Sequence, residues 1–211
     1  MVNYSKYSVI NSNVKIVKIN GKYLIRKIIK NNVNLGVSQS FLNKLIQKYV
    51  KQIRSAEINL PEIVNYKLGN GDITYYCIPK GENILEVFDL NELVFGKGRK
   101  FLSAAIKEIG KAVLNEVNLD PHIKNFVIEN NEVSFVDFSP PYIDEFFDLR
   151  MSVALDSERT IIKNNFEYFG PEYLYHHFVG DFFNIKKNIS QTLTKEIYNL
   201  INQQTSIKGS F

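Results

Sequence analysis

The sequence predicts an α+β chain of two lobes, a small antiparallel sheet carrying one helix and then a mainly helical lobe. Three observations predict it. Two pairs of alternating runs precede Pro79, each pair closed by a glycine-containing turn. One segment of helical period lies between the pairs. Beyond Pro79 the helical period prevails, interrupted by a single short hairpin.

The first pair is Val14–Ile19 and Lys22–Ile28, joined at Asn20-Gly21, a strong two-residue turn signal. Asn31 to Gly36 reads as a loop, and Asn11 to Asn13 as a small polar turn. Ser38 or Ser40 can cap a helix running to Arg54, whose apolar positions are Phe41, Leu42, Leu45, Ile46, Tyr49 and Ile53. Leu60-Pro61 follows as a break. Ile63–Leu68 and Ile73–Ile78 form the second hairpin, turned at Gly69-Asn-Gly-Asp72. Pro79-Lys-Gly81 is the natural boundary, giving a β-rich lobe over 1–79 and a helical lobe over 80–211.

In the second lobe, Ile84–Leu93 is a short helix candidate. From Arg99 a longer helix carries Phe101, Ala105, Ile109, Val113 and Val117 on one stripe. A polar loop spans Asn118 to Asn125. A third hairpin pairs Phe126–Ile128 with Val133–Phe138, and Pro140-Pro141 ends it. The rest is helical, including the row Ile185, Ile189, Leu193, Ile197 and Ile201, with a frayed tail expected from about Thr205.

Composition narrows the function classes. Lys and Arg outnumber Asp and Glu by 26 to 22, a formal charge of only +4, and the basic residues are spaced along predicted elements as solvated faces. Nucleic-acid binding needs a concentrated basic face and is not expected. The lone Cys77 excludes an internal disulfide framework and suits a reducing compartment. The start, Met1 to Lys6, lacks the apolar core of a leader, and no apolar run spans a bilayer. A cytoplasmic protein without membrane contact is expected; oligomeric state is not legible.

The informative stretch is Leu119-Asp-Pro-His-Ile-Lys-Asn-Phe-Val-Ile128, followed by Ser134-Phe-Val-Asp-Phe138. An acid sits in a loop after a long helix, an Asn opens a short strand five positions on, and an Asp closes the partner strand. A tight hairpin brings Asn125 and Asp137 to one end, with Asp120 held nearby. That set offers two oxygen ligands for a hard cation and one carboxylate to orient a hydroxyl.

Asp120-x-His122-x-x-Asn125 resembles the D-x-H-x-x-N loop of aminoglycoside-phosphotransferase-like and choline-kinase-like enzymes, and Val136-Asp137-Phe138 resembles their counterpart of the protein-kinase D-F-G. With the order of elements from Val14 to Asp144, the resemblance implies a protein-kinase-like two-lobe fold, ATP and Mg²⁺, and transfer of phosphate to a small-molecule or short-peptide hydroxyl. It implies that Asp120 is the catalytic base, that Asn125 acts in catalysis and as a Mg²⁺ ligand, and that Asp137 is the other ligand. His122 is similar to a histidine whose family role is loop architecture. The resemblance also implies a basic residue contacting the nucleotide phosphates, Arg26 or Lys27, on opposite faces of one strand, with Arg26 preferred. Tyr76 and Ile78 fall at the hinge position that binds adenine through the backbone.

The sequence departs from that family in several places. There is no glycine-rich phosphate loop, and the Ser40–Arg54 helix lacks its usual Glu. The loop reads Asn118-Leu119-Asp120, and Ser139 replaces the glycine after Asp137-Phe138. These departures keep two alternatives in view: a compact atypical Ser/Thr protein kinase, or a pseudokinase acting as a nucleotide-binding interaction module. Asp144, Glu145 and Asp148 are read equally as a dock for a cationic acceptor or as acids at a helix start. His176 and His177, adjacent and so about 100° apart on a helix, are read as ordinary surface or interface residues. Phe146, Phe147, Tyr173 and Tyr175 read as core or pocket wall.

Overall fold

A computed structural model describes residues 10–31, 35–185 and 190–206 of the chain. The first six residues, the middle of the Asn31–Gly36 loop, Ile189 of the last apolar row and the end of the expected tail lie outside them. The chain divides into two compact units. One comprises residues 1–51, 61–79 and 138–163, the other 52–60, 80–137 and 164–211.

The first unit holds a four-stranded antiparallel sheet. Its strands are β1 (Ile10–Ile19), β2 (Lys22–Asn31), β3 (Ile63–Leu68) and β4 (Asp72–Cys77), in the order β1-β2-β4-β3. The β1–β2 ladder is in register from Ile10↔Asn31 to Ile19↔Lys22, closed at Asn20 and Gly21, both at positive φ. That is the backbone a two-residue hairpin turn requires, which Asn and Gly supply at low cost. Asn11 to Asn13 are strand rather than turn, because the ladder keeps pairing them with 28–30.

Helix α1 (Gln39–Ser55) begins at Ser38, whose Oγ accepts the Phe41 N–H at 3.2 Å. Its buried stripe is Leu42, Leu45, Ile46, Tyr49, Val50 and Ile53, while Phe41 is largely exposed. The helix ends through Glu57 at positive φ, ahead of the expected break at Pro61. Within this unit Tyr75 of β4 donates its hydroxyl to the Asn43 side chain, and its ring meets Phe138 edge-on at 5.3 Å. Tyr49 meets Tyr142 edge-on at 6.1 Å. Helix α5 (Asp144–Val153) opens on Asp144 and Glu145, and Glu145 pairs with Lys48.

The second unit is built on α4 (Arg99–Leu114), whose Leu102, Ala105, Ile106, Ile109 and Ala112 are fully buried. Its Glu108 is buried yet satisfied, accepting the Asn59 N–H at 2.7 Å and Lys111 at 2.8 Å. The expected helix over Ile84–Leu93 is two helices, α2 (Ile84–Val87) and α3 (Leu90–Phe95). Asp89 divides them: it is extended, and its carboxylate caps α3 by accepting the Asn91 and Glu92 N–H groups.

A three-stranded sheet, β5 (Glu82–Asn83), β6 (Phe126–Glu129) and β7 (Glu132–Phe135), runs in that order. The turn sits at Asn130-Asn131, both at positive φ. Strand β7 stops at Phe135, so Asp137 lies beyond the ladder and does not close the strand as expected.

Three helices complete the described chain: α6 (Asp156–Tyr168), α7 (Leu174–Ile185) and α8 (Gln191–Ser206). Leu193, Ile197, Leu200 and Ile201 of α8 are buried, and Thr205 is still helical rather than frayed. Among the described residues no helix is long and apolar enough to cross a membrane.

Candidate active site

The second unit gathers Asp120, His122, Asn125, His177 and Asp181, and its local structure explains how. Helix α4 ends at Leu114. Glu116 turns the chain at positive φ, and Val117 donates its N–H back to Ala112 at 2.9 Å. The chain then leaves as an extended loop fastened by Leu119, which is fully buried and donates its N–H to the Phe169 carbonyl at 3.0 Å. Pro121 follows Asp120, and its fixed φ with no N–H suits an irregular segment. A tight turn over Ile123–Asn125 closes the loop, with the Asn125 N–H donated to the His122 carbonyl at 2.8 Å. Asn83, which caps α2, donates its side-chain amide to the Lys124 carbonyl and so pins the loop to β5.

Within this loop Asp120 and His122 are in direct contact. The Asp120 carboxylate faces His122 Nδ1 and accepts the His122 backbone N–H at 3.3 Å. Asn125 is buried, and its Nδ2 donates to the Asp120 carbonyl at 3.1 Å. The Asn125 carbonyl accepts the Val136 N–H at 2.9 Å, extending the hairpin one rung and holding the residue before Asp137 opposite Asn125. Asp137 itself is half-buried.

Helix α7 supplies two groups that sequence reasoning missed. His177 is buried, and its Nε2 is 3.3 Å from His122 Nε2. It is an inward residue of the site and not the surface or interface histidine expected; His176 alone is exposed. The Tyr168 and Phe169 rings pack on His177 at 4.2 and 4.7 Å between centroids. Asp181 is buried as well: Oδ2 accepts the Ile123 N–H at 3.1 Å, and Oδ1 is 3.5 Å from His122 Nε2. The legible signal was a polar pair, His177 and Asp181, spaced i, i+4 within the apolar run Leu174, Phe178, Val179 and Phe182.

The electrostatics follow from burial and contact. Burial alone would raise the Asp120 carboxyl, but the hydrogen bond and charge of His122 outweigh it and hold Asp120 below the usual carboxylate range. Burial likewise works against a charged His122, yet the hydrogen bond and charge of Asp120, with Asp181 behind it, raise the imidazole. Burial, with the charge of His122 added, pushes His177 down to about 4. Burial raises Asp181 against the opposing pull of His122 and the Ile123 N–H. At neutral pH the arrangement is an Asp120 carboxylate beside a cation-prone His122, backed by a neutral His177. Asp120, His122 and His177 each offer a metal-ligating atom, and these atoms lie within 4.8 Å of one another.

The nucleotide candidates of the first unit are distributed as follows. Lys27 shares the inward face of β2 with Ile29; it is buried, with its ammonium 4.5 Å from the Phe138 ring centroid. Arg26 is half-buried, and its Nε is enclosed without a hydrogen-bond partner among the described residues. Tyr76 lies in central strand β4, opposite Arg26 of β2 and Asn65 of β3. The Ile78 N–H is donated to the Glu62 carbonyl at 2.9 Å, so that donor is already engaged.

No family model matches the chain, and no curated protein matches it either.

Proposed function

We propose that this chain is an ATP- and Mg²⁺-dependent phosphotransferase on a protein-kinase-like fold, acting on a hydroxyl of a small molecule or short peptide. The observation that carries the reading is the chain of contacts from Asp120 through Asn125 to Val136. The Asn125 amide is bonded to the Asp120 carbonyl, and the Asn125 carbonyl to the residue before Asp137. The Asp120 loop is thereby linked through Asn125 to the hairpin end that leads into Asp137.

The donor chemistry fits magnesium. With Asn125 Nδ2 committed to Asp120, the amide oxygen is the end left for a cation, and Asp137 adds a carboxylate. An amide oxygen and a carboxylate are the hard donors magnesium takes, usually keeping several waters. Bound there with ATP, the metal would neutralise phosphate charge, the main electrostatic demand of phosphoryl transfer.

Asp120 has the matching role on the acceptor. Kept ionised by His122, it would accept the acceptor's O–H hydrogen bond, orient that oxygen for in-line attack on the γ-phosphorus of ATP and take its proton as the new oxygen–phosphorus bond forms and the bond to the bridging oxygen breaks, releasing ADP. A carboxylate held low is a weak base, which suits a reaction whose transition state needs positioning more than early proton removal. By the resemblance, the basic residue for the phosphates is Arg26 or Lys27. The inward position of Lys27 and the unpaired Nε of Arg26 keep both in view.

The test is thermal unfolding with ATP and Mg²⁺, beside ATP consumption across sugar, amino-alcohol, aminoglycoside and peptide acceptors. Ligand bound only by the folded state stabilises it by RT ln(1 + [L]/Kd), about 2.7 kcal/mol at a hundredfold excess over Kd. A folded sample with no shift at saturating ATP and Mg²⁺ would overturn the reading. A shift without turnover on any acceptor would favour the nucleotide-binding interaction module.

A further inference from the structure

We propose that His122, His177 and Asp181 form a binding site for a divalent transition-metal ion, with zinc the best-suited candidate. The site uses other residues than the oxygen pair of Asn125 and Asp137, and its metal binding requires neither ATP nor phosphotransfer.

The geometry comes from two elements. His177 and Asp181 are one turn apart on α7 and therefore share a face, the spacing by which a helix presents two ligands to one ion. His122 arrives from the loop and meets both. Its Nε2 is 3.3 Å from His177 Nε2 and 3.5 Å from Asp181 Oδ1. In a tetrahedral zinc site with bonds of about 2.0–2.1 Å, ligand atoms sit about 3.3 Å from one another. The two separations from His122 Nε2 match that edge.

The contacts around His122 and Asp181 are those of a supported metal site, while His177 Nδ1 is enclosed without a hydrogen-bond partner among the described residues. A ligating imidazole ordinarily gives its second nitrogen to a carboxylate or carbonyl, which fixes the ring. Here Asp120 faces His122 Nδ1 and leaves Nε2 turned toward α7. Asp181 Oδ2 is occupied by the Ile123 N–H, which leaves Oδ1 toward His122. The Tyr168 and Phe169 rings fix the plane of His177.

The chemistry of the donors selects the ion. Two imidazole nitrogens and one carboxylate oxygen suit zinc, cobalt, nickel or copper, whereas magnesium and calcium take oxygen sets. Three protein ligands leave a fourth position for water, and solvent reaches the site, since the His122 and Asp120 side chains keep 20% and 13% exposure.

The experiment uses the full chain stripped with a chelator and titrated with zinc against a chromophoric indicator. We expect a single saturable equivalent, and cobalt in its place should give the visible absorption of a four-coordinate ion. The chain holds three histidines, so ¹⁵N-histidine spectra of the unaltered protein identify the ligands directly. Zinc should shift the ring nitrogens of His122 and His177 and leave exposed His176 unmoved. His177→Phe, which keeps a ring against Tyr168 and Phe169, and Asp181→Asn should each weaken binding by about tenfold or more, and His176→Ala should leave it unchanged. No saturable binding by the folded protein, a shift at His176 instead, or a smaller loss in both variants would overturn the proposal. The spectra decide the matter even where a variant fails to fold.

Discussion

At Asp120 the decisive quantity is its contact with His122, and the proposed reaction divides labour among three side chains accordingly. Asp137→Ala removes the anionic ligand of the metal, so it should abolish Mg²⁺-dependent ATP binding together with turnover. In the proposed reaction Asp120 acts on the acceptor hydroxyl, so Asp120→Ala should lower kcat by about 10²-fold or more with ATP affinity nearly intact. Isothermal titration of both variants with ATP and Mg²⁺ separates them; equal loss of affinity would defeat the assignment. The same cluster sets a pH dependence in the metal-stripped protein. His177 titrates at about 4 when folded and near 6.5 when unfolded, so between those values the unfolded chain binds more protons. Stability should therefore fall as pH drops from about 6.5 toward 4. The Asp120 contribution is lost further down, as pH falls through its depressed folded value, while that of raised His122 is complete below about 6.5 and lost on the alkaline side. Denaturation midpoints across pH should show the acid limb, and His177→Phe should flatten it. The contact of Asn125 with Asp120 was legible because both lie in one short stretch. His177 and Asp181 were not, because their partner loop is more than fifty positions away and only folding brings them to it.

Elements were legible to the extent that one local force decides them. Ser38 capping α1, the Asn20-Gly21 turn and the β3–β4 hairpin all follow from residues within a few positions of the feature. The single helix expected over Ile84–Leu93 failed because the apolar spacing continues through Phe88 while Asp89 caps a new helix, and a carboxylate bonded to two backbone N–H groups outweighs continuity of pattern. The end of β7 was equally hidden. Val136 to Phe138 keep strand-like composition, yet the ladder ends at Phe135 and the next rung belongs to the loop residue Asn125. Gly81 is the most constrained position at this scale. It has φ +93°, and a Cβ there would sit 1.9 Å from the Ile128 carbonyl oxygen, so β5 can lie beside β6 only with glycine at its entry. Gly81→Ala should destabilise by roughly 1–3 kcal/mol from backbone strain, with the clash displacing β5 and the Asn83 link to the Asp120–Asn125 loop. Urea unfolding checks the magnitude. A midpoint equal to that of the unaltered protein would show that β5 is not held in this register.

For the molecule as a whole, the linear boundary at Pro79 is one of several places where the chain passes between its two units. Residues 138–163 return to the unit that begins the chain, and 52–60 join the other. Hydrophobic period and turn residues locate elements but carry no information on which distant segment covers which face, so this return could not be read from the sequence. It has a direct consequence for dissection. In the first unit Tyr75 is fully buried, with Phe138 against its ring, and Tyr49 is fully buried beside Tyr142. Lys27, also buried, has its ammonium over Phe138. A fragment of residues 1–79 keeps every strand of the four-stranded sheet and all of α1 but lacks both of those covering rings. Fully burying an aromatic side chain is worth about 1.5–3 kcal/mol, and exposing two of them in so small a sheet consumes most of the stability such a domain has. The fragment should therefore lack a cooperative urea transition and bind a hydrophobic dye, whereas the full chain should unfold with a sharp transition. A fragment that melts cooperatively with resolved tyrosine signals would mean that the sheet and α1 complete a core of their own, with residues 138–163 only resting on it.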